Sequence, residues 1–166
     1  QRQMCIRDRI LALVNYPSFN PNQYSDVEDP DLFRNPAIQK IFEPGSVFKP
    51  VTMAAALNER KISPQTKYFD KGVLHIGGFT VYNYAQKAWG ERTMTEVLEH
   101  SINTGAVFAE RQLGHEKFIQ YIERFGFFEP TGVDLQGEIS FANPELKRGY
   151  EINYATASFG QGIAIT

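Results

Sequence analysis

The clearest pattern in the chain is an apolar block from Val47 to Leu57, set between the break Glu43-Pro44-Gly45 and the polar stretch Asn58-Glu59-Arg60-Lys61. Met53, Ala54, Ala55, Ala56 and Leu57 give it high helix propensity, and its apolar positions run nearly all round. The pattern predicts a buried helix over residues 47–61. Pro50 fits only in the first turn, where backbone N–H groups have no helical partner. Ser46 is thereby placed near the N-cap, at the positive end of the helix dipole.

Elsewhere the periodicity is shorter. Ile10 to Val14 is an aliphatic run ended by Asn15-Tyr16-Pro17 and reads as a buried strand. Residues 16–36 hold four of the nine prolines and read as loop, and Pro36 to Phe42 as a short helix. Tyr68-Phe69, Val73–Ile76 and Phe79–Tyr82 are β-prone, with Gly77-Gly78 as a hairpin signal. Thr93 and Glu96 form a capping box that opens a helix ending near Ser101. A second helix spans Thr104 to Leu113, stopped by Gly114, and a third spans His115 to Phe125, stopped by Gly126. Residues 126–150 are turn-rich, and Asn153 to Phe159 begins another helix. The fold class expected is α+β, a helical body with small β pieces. A lone strand at Ile10–Val14 cannot satisfy its backbone groups. The expectation is that the missing sheet strands lie beyond Thr166, and the ill-fitting polar leader and an apolar C-terminal run without a stop signal read as a chain cut at both ends. Polar residues 1–9 read as a non-native or disordered leader, and 10–166 as a partial domain.

Composition narrows the function classes. A length of 166 residues suits one domain, and 42% hydrophobic residues support a packed core. The net charge of −2, with no clustered basic excess, argues against nucleic acid as a partner. Cys5 is the only cysteine, which excludes an internal disulfide and a multi-cysteine metal site. His75, His100 and His115 lack ligand spacing, so no metal and no cofactor is expected. His100 reads as an exposed helix-end residue. No run of about 18 apolar residues exists to span a membrane. The aromatics read mainly as core, with Tyr82, Tyr84 and Trp89 alternatively lining a groove.

The candidate chemistry begins with Ser46-Val47-Phe48-Lys49. On a helix, residues i and i+3 share a face, so the Ser46 hydroxyl and the Lys49 amine meet. A serine nucleophile whose base is lysine needs that geometry. By chance a chain this long gives roughly half an S-x-x-K match, so the bland alternative is a capping serine followed by a solvated lysine. Ser101-Ile102-Asn103 is an S-x-N placed at a helix-to-helix turn, 55 residues after Ser46. Ser18-Phe19-Asn20 also matches S-x-N, and helix capping is the alternative role for Ser101 and Asn103.

Five stretches together resemble the transpeptidase domain of class B penicillin-binding proteins, within the acyl-serine penicillin-recognising superfamily. ILALVNYPSFNPN from Ile10 is similar to that family's first strand and loop, and EPGSVFKPVTMAAAL from Glu43 to its nucleophile helix. MTEVLEHSINTGAV from Met94 resembles its S-x-N region, FGFFEPTGVDLQGE from Phe125 its T-G-x-D-L-x-G-E stretch, and ASFGQGIAIT from Ala157 the segment leading to the third motif. That third motif, K-T-G or K-S-G, does not occur in these residues. Truncation before it would leave the fragment alone inactive.

The resemblance implies a penicillin-binding-protein/β-lactamase-like fold and a serine-type D,D-transpeptidase that cross-links peptidoglycan stem peptides and binds β-lactams. Ser46 would be the nucleophile, Lys49 its base and Ser101 a proton relay. Asn103 would bond the substrate amide and the Lys49 side chain. Acting near neutrality would require the Lys49 pKa to fall by roughly 3 units, through burial and nearby positive charge. The implied partners are D-Ala-D-Ala stem peptides and a glycosyltransferase of the elongation or division machinery. The implied setting is the outer face of the bacterial cytoplasmic membrane, reached through an N-terminal anchor. The competing functions are a β-lactamase or β-lactam sensor of the same superfamily, and a non-catalytic cell-wall scaffold. A class A lactamase would need an E-x-x-L-N loop, which is absent.

Overall fold

The structure is a computed structural model that describes residue 10 and residues 12–166. The reading of residues 1–9 as a leader lies outside the described residues. Two compact units are present, one reaching to Lys40 and the other spanning Ile41–Thr166.

In the first unit one local device recurs. Asn20, Asp29 and Asn35 each precede a proline, and each side chain accepts the N–H two residues on, at 3.0, 2.9 and 3.1 Å. They open 3-10 turns at Pro21–Asp26 and Pro30–Phe33 and the short helix α1, Pro36–Gln39. An Asx cap before a proline suits a helical start, because proline at N1 gives up an N–H that had no partner. Phe19 packs edge-on against Phe33, ring centroids 4.9 Å apart.

Two expectations fail here. No strand forms at residues 10 and 12–14, and Ile10, Leu13 and Val14 are exposed. Aliphatic content favours a strand only where another strand accepts its hydrogen bonds, and both sheets among the described residues lie elsewhere. The helix expected from Pro36 to Phe42 stops at Gln39. Lys40 is extended, and Phe42 makes a two-way antiparallel bridge with Ile165 at 2.9 Å.

In the second unit a 3-10 turn at Gly45–Phe48 runs directly into α2, Lys49–Asn58. The helix thus begins two residues later than the apolar pattern suggests, and Pro50 falls in its first turn. Thr52, Met53, Ala55 and Ala56 are buried along it. Strand β1, Lys67–Asp70, pairs antiparallel with β4, Gly90–Thr93. Strands β2, Val73–Ile76, and β3, Phe79–Tyr82, form the expected hairpin. Its turn uses Gly77 and Gly78 at φ 53° and 86°, the left-handed pair a two-residue hairpin demands.

Helix α3, Met94–Glu99, opens with the expected capping box. The Thr93 N–H donates to Glu96 Oε2 at 2.8 Å, and the Glu96 N–H donates to Thr93 Oγ1 at 3.3 Å. Helices α4, Asn103–Leu113, and α5, His115–Arg124, follow, separated by Gly114 at φ 90°. Two short helices, α6 at Pro144–Lys147 and α7 at Glu151–Ala157, complete the unit. Helix α4 is central and packs against α2, α3, α5 and α7. The core gathers Phe48, Met53, Val97, Ile102, Phe118 and Ile122, with Phe48 edge-on to Phe118 at 6.5 Å. The fold is α+β. Among the described residues no helix is long and apolar enough to cross a membrane.

Candidate active site

Ser46 is the second residue of the 3-10 turn, exposed, and one turn ahead of α2. Three residues on, Lys49 begins α2 and is buried, with 1% of its surface exposed. The amine of Lys49 donates to Ser46 Oγ at 3.0 Å, to Ser101 Oγ at 2.9 Å and to the Ser101 carbonyl at 2.7 Å. Three acceptors saturate the three donors of an ammonium group. Burial nevertheless pulls the Lys49 pKa down from 10.5 to about 8, because leaving water disfavours the charged form. Burial is the cause of that shift, and the expected nearby positive charge adds nothing to it among the described residues.

Ser101 reaches this point through a helix ending. Its N–H bonds Leu98 O at 3.2 Å, and the Ile102 N–H bonds Val97 O at 2.9 Å. That pair of bonds is a Schellman ending, whose left-handed position is normally glycine. Here serine occupies it, at φ 54°. A side chain in that region costs about 1–2 kcal/mol. The Lys49 bonds to both the Ser101 carbonyl and hydroxyl help hold it there. A residue kept in a costly conformation and wired to a buried amine is characteristic of a working site.

Asn103 starts α4 on the same side. Its amide donates to the Tyr82 carbonyl of β3 at 2.9 Å, tying the hairpin to the helix start. The expected bond from Asn103 to Lys49 does not form. All three donors of the amine are taken by the two serines, and the asparagine amide is taken by β3.

These residues face an open cleft of about 780 Å³, lined by Ser46, Ser101 and Asn103 with Tyr82, Thr156 and Gln161. Tyr84 also lines it and is 91% exposed. Trp89 does not. Its ring stacks on His100 at 4.4 Å and takes the Lys87 amine over a face at 3.4 Å. His100 is exposed as expected and closes α3, and the stack ties it to Trp89.

Beneath the S-x-N turn lies a buried polar knot that sequence reasoning missed. Asp70, at the end of β1, accepts from the Gly72 N–H at 2.9 Å and Thr104 Oγ1 at 2.6 Å through one oxygen. Its other oxygen accepts from Asn83 Nδ2 at 2.8 Å and the Trp89 N–H at 2.9 Å. Asn83 Oδ1 in turn accepts the Thr104 N–H at 3.1 Å. One carboxylate thus gathers β1, the 83–89 loop and the first turn of α4. The only signal in the sequence was Asp70 followed by Lys71-Gly72, a turn composition without indicated partners.

Comparison with known proteins gives this geometry a family. The model of the penicillin binding protein transpeptidase domain matches residues 7–166. The chain belongs to that family. Among curated relatives of this transpeptidase domain, stage V sporulation protein D of Bacillus subtilis (strain 168) is 38% identical over 159 residues, covering 95% of this chain and 24% of that protein. The peptidoglycan D,D-transpeptidase FtsI of Escherichia coli (strain K12) is 32% identical over 157 residues, covering 95% of this chain and 26% of FtsI. The chain therefore spans about a quarter of the length of the curated relatives it matches. A peptidoglycan glycosyltransferase from Burkholderia ambifaria, solved by crystallography, superposes with a TM-score of 0.74 at 25% identity, over 81% of this chain and 42% of that one. The transpeptidase fold read from the five stretches is therefore the fold of this chain.

Proposed function

We propose that this domain, residues 10–166, serves a peptidoglycan D,D-transpeptidase working through an acyl-serine intermediate. The observation that carries the reading is the buried Lys49 amine bonded to two serine hydroxyls, one of them facing the cleft one turn ahead of a helix. A serine hydroxyl is a poor nucleophile until a base takes its proton, and an amine of pKa about 8 is a competent base near neutrality.

Ser46 Oγ attacks the carbonyl between the two terminal D-alanines of a stem peptide while Lys49 takes its proton. The Ser46 N–H supplies one donor for the developing oxyanion. Ser101 passes the proton from Lys49 to the departing amine, the C–N bond breaks, and D-alanine leaves. An amine of a neighbouring stem then attacks the ester carbonyl, and Ser46 recovers its proton. Asn103 holds the substrate amide beside β3. A β-lactam enters the same path: the Ser46 Oγ–C bond forms, the ring C–N bond opens, and the ring nitrogen takes the proton. The setting proposed for the whole protein is the outer face of the cytoplasmic membrane, beside a glycosyltransferase of the elongation or division machinery. The family to which the chain belongs supports that setting.

The test is intact mass after incubation with a β-lactam, using a chain that carries the full transpeptidase domain, with Ser46→Ala as control. A lasting one-to-one adduct that disappears in the control is expected. Rapid loss of the adduct would mean a lactamase. No adduct on a folded protein would leave the scaffold reading.

A further inference from the structure

Ser46 sits on a segment laced to a second one far away in sequence. The lacing runs antiparallel. Phe42 bridges Ile165 in both directions at 2.9 Å, Glu43 Oε1 accepts the Gly162 N–H at 2.9 Å, and the Gly45 N–H donates to the Gly160 carbonyl at 2.8 Å. Beyond the turn, Thr52 Oγ1 donates to the Ser158 carbonyl at 2.8 Å. Four positions between 42 and 52 are thus tied, in reverse order, to four between 158 and 165.

Contact is tightest beside the nucleophile. Gly160 has φ 81°, and a Cβ built on it would lie 2.0 Å from the Gly45 carbonyl oxygen. That oxygen therefore rests against the bare Cα of Gly160. It belongs to the same planar peptide unit as the Ser46 N–H, and in a trans peptide the C=O and N–H point opposite ways. Fixing the Gly45 carbonyl against Gly160 fixes the direction of the Ser46 N–H, aimed away from Gly160. Gly160 is itself held between two bonds of the lacing, its own carbonyl to Gly45 and the Gly162 N–H to Glu43.

We propose that Glu43 is a positioning residue for Ser46: its carboxylate, by holding the Gly162 N–H, clamps the 160–162 loop against the Gly45–Ser46 peptide and so aims the Ser46 N–H at the developing oxyanion. The proposal rests on Ser46 being the acylated nucleophile. Glu43 touches neither substrate nor Ser46 Oγ; it acts through the loop. Its effect belongs to the transition state, where that N–H strengthens its bond, rather than to β-lactam binding.

The experiment compares Glu43→Ala with Glu43→Gln in a chain carrying the full transpeptidase domain. Gln keeps an oxygen that can accept the Gly162 N–H; Ala removes it. Two quantities are read: the limiting acylation rate with its half-saturating β-lactam concentration, and the hydrogen exchange of the Gly45 and Gly162 amides. Glu43→Ala should lower the limiting rate about 10-fold to 100-fold, the size of effect small misplacements have on reacting geometry. Half-saturation should stay within about twofold, and both amides should exchange faster. Glu43→Gln should restore the rate to within about threefold and restore protection. A native limiting rate in Glu43→Ala, or a Gln variant as slow as Ala, overturns the proposal. So does unchanged protection of both amides. If the native protein forms no adduct, the nucleophile reading fails, while the exchange of Gly45 and Gly162 still decides whether Glu43 holds the lacing.

Discussion

Lys49→Met is expected to slow acylation of Ser46 by a β-lactam by about a thousandfold, the middle of the range for loss of a positioned general base. Methionine is unbranched, one atom shorter and close in volume, so it nearly fills the buried site and the loss reads chemistry rather than collapse. The pH profile gives the second arm. Only the neutral amine can take the hydroxyl proton, and burial sets its pKa at about 8. The native acylation rate should therefore climb tenfold per pH unit below 8 and level off above it, whereas the Met variant should lack that step. A flat native profile between pH 6 and 9, or a Met variant within tenfold of native, would remove Lys49 from the role of base.

The same displacement has a thermodynamic face. The folded protein prefers the uncharged amine and the unfolded chain holds its proton up to 10.5, so between about 8 and 10.5 the unfolded state binds more protons. Stability relative to Lys49→Met should rise with pH across that window, by roughly 3 kcal/mol in all. Below pH 8 the whole cost of the buried cation remains. Chemical denaturation of the two proteins at pH 7 and pH 10 measures it.

Asp70→Ala is expected to be the most destabilising substitution near the site. It strands four donors that the carboxylate now satisfies: the Gly72 and Trp89 N–H groups, the Thr104 hydroxyl and the Asn83 amide. Each buried donor left unpaired costs about 1–3 kcal/mol, and the four relax together rather than independently. A loss of about 4 kcal/mol follows, which for a domain of this size is a fall in Tm of about 10 °C. Asp70→Asn keeps the shape but replaces one acceptor oxygen with an amide that cannot accept, and should fall between. The damage should spread to the cleft, because the first turn of α4, which carries Asn103, hangs from this carboxylate. Calorimetry of the three proteins checks the order; an Ala variant within 1 kcal/mol of native would show that water replaces the carboxylate.

What could be read from the sequence divides by the range of the interactions involved. Ser46 and Lys49 were legible because an i, i+3 pair is fixed by helix geometry alone. The capping box at Thr93 and the Gly77-Gly78 hairpin were legible for the same reason. Ser101 could be placed at an interhelical turn, but its left-handed backbone could not be foreseen, since serine there contradicts local preference. Of the two bonds expected of Asn103, to substrate and to Lys49, the second gives way to β3; which of two polar neighbours wins depends on a hairpin that folds in from 21 residues away. Strand β4 escaped notice because Gly-Glu-Arg-Thr has no apolar alternation, and only pairing with β1 makes it a strand. The run at Ile10–Val14 failed in the opposite sense, having strand composition and, among the described residues, no strand beside it. The lacing of 42–52 to 158–165 was invisible, being built mostly from backbone groups and glycines that carry no pattern.

Ser101 carries a further consequence. Glycine would suit its left-handed backbone better and remove a penalty of about 1–2 kcal/mol, yet it would delete the hydroxyl that the Lys49 amine holds. Stability and the proposed function therefore pull on this one codon in opposite directions. A directed-evolution campaign that rewards heat resistance alone would drift toward glycine here and lose the hydroxyl proposed as the relay while improving the score it selects on. Libraries built on this domain should hold residue 101 fixed and seek their thermal gains elsewhere.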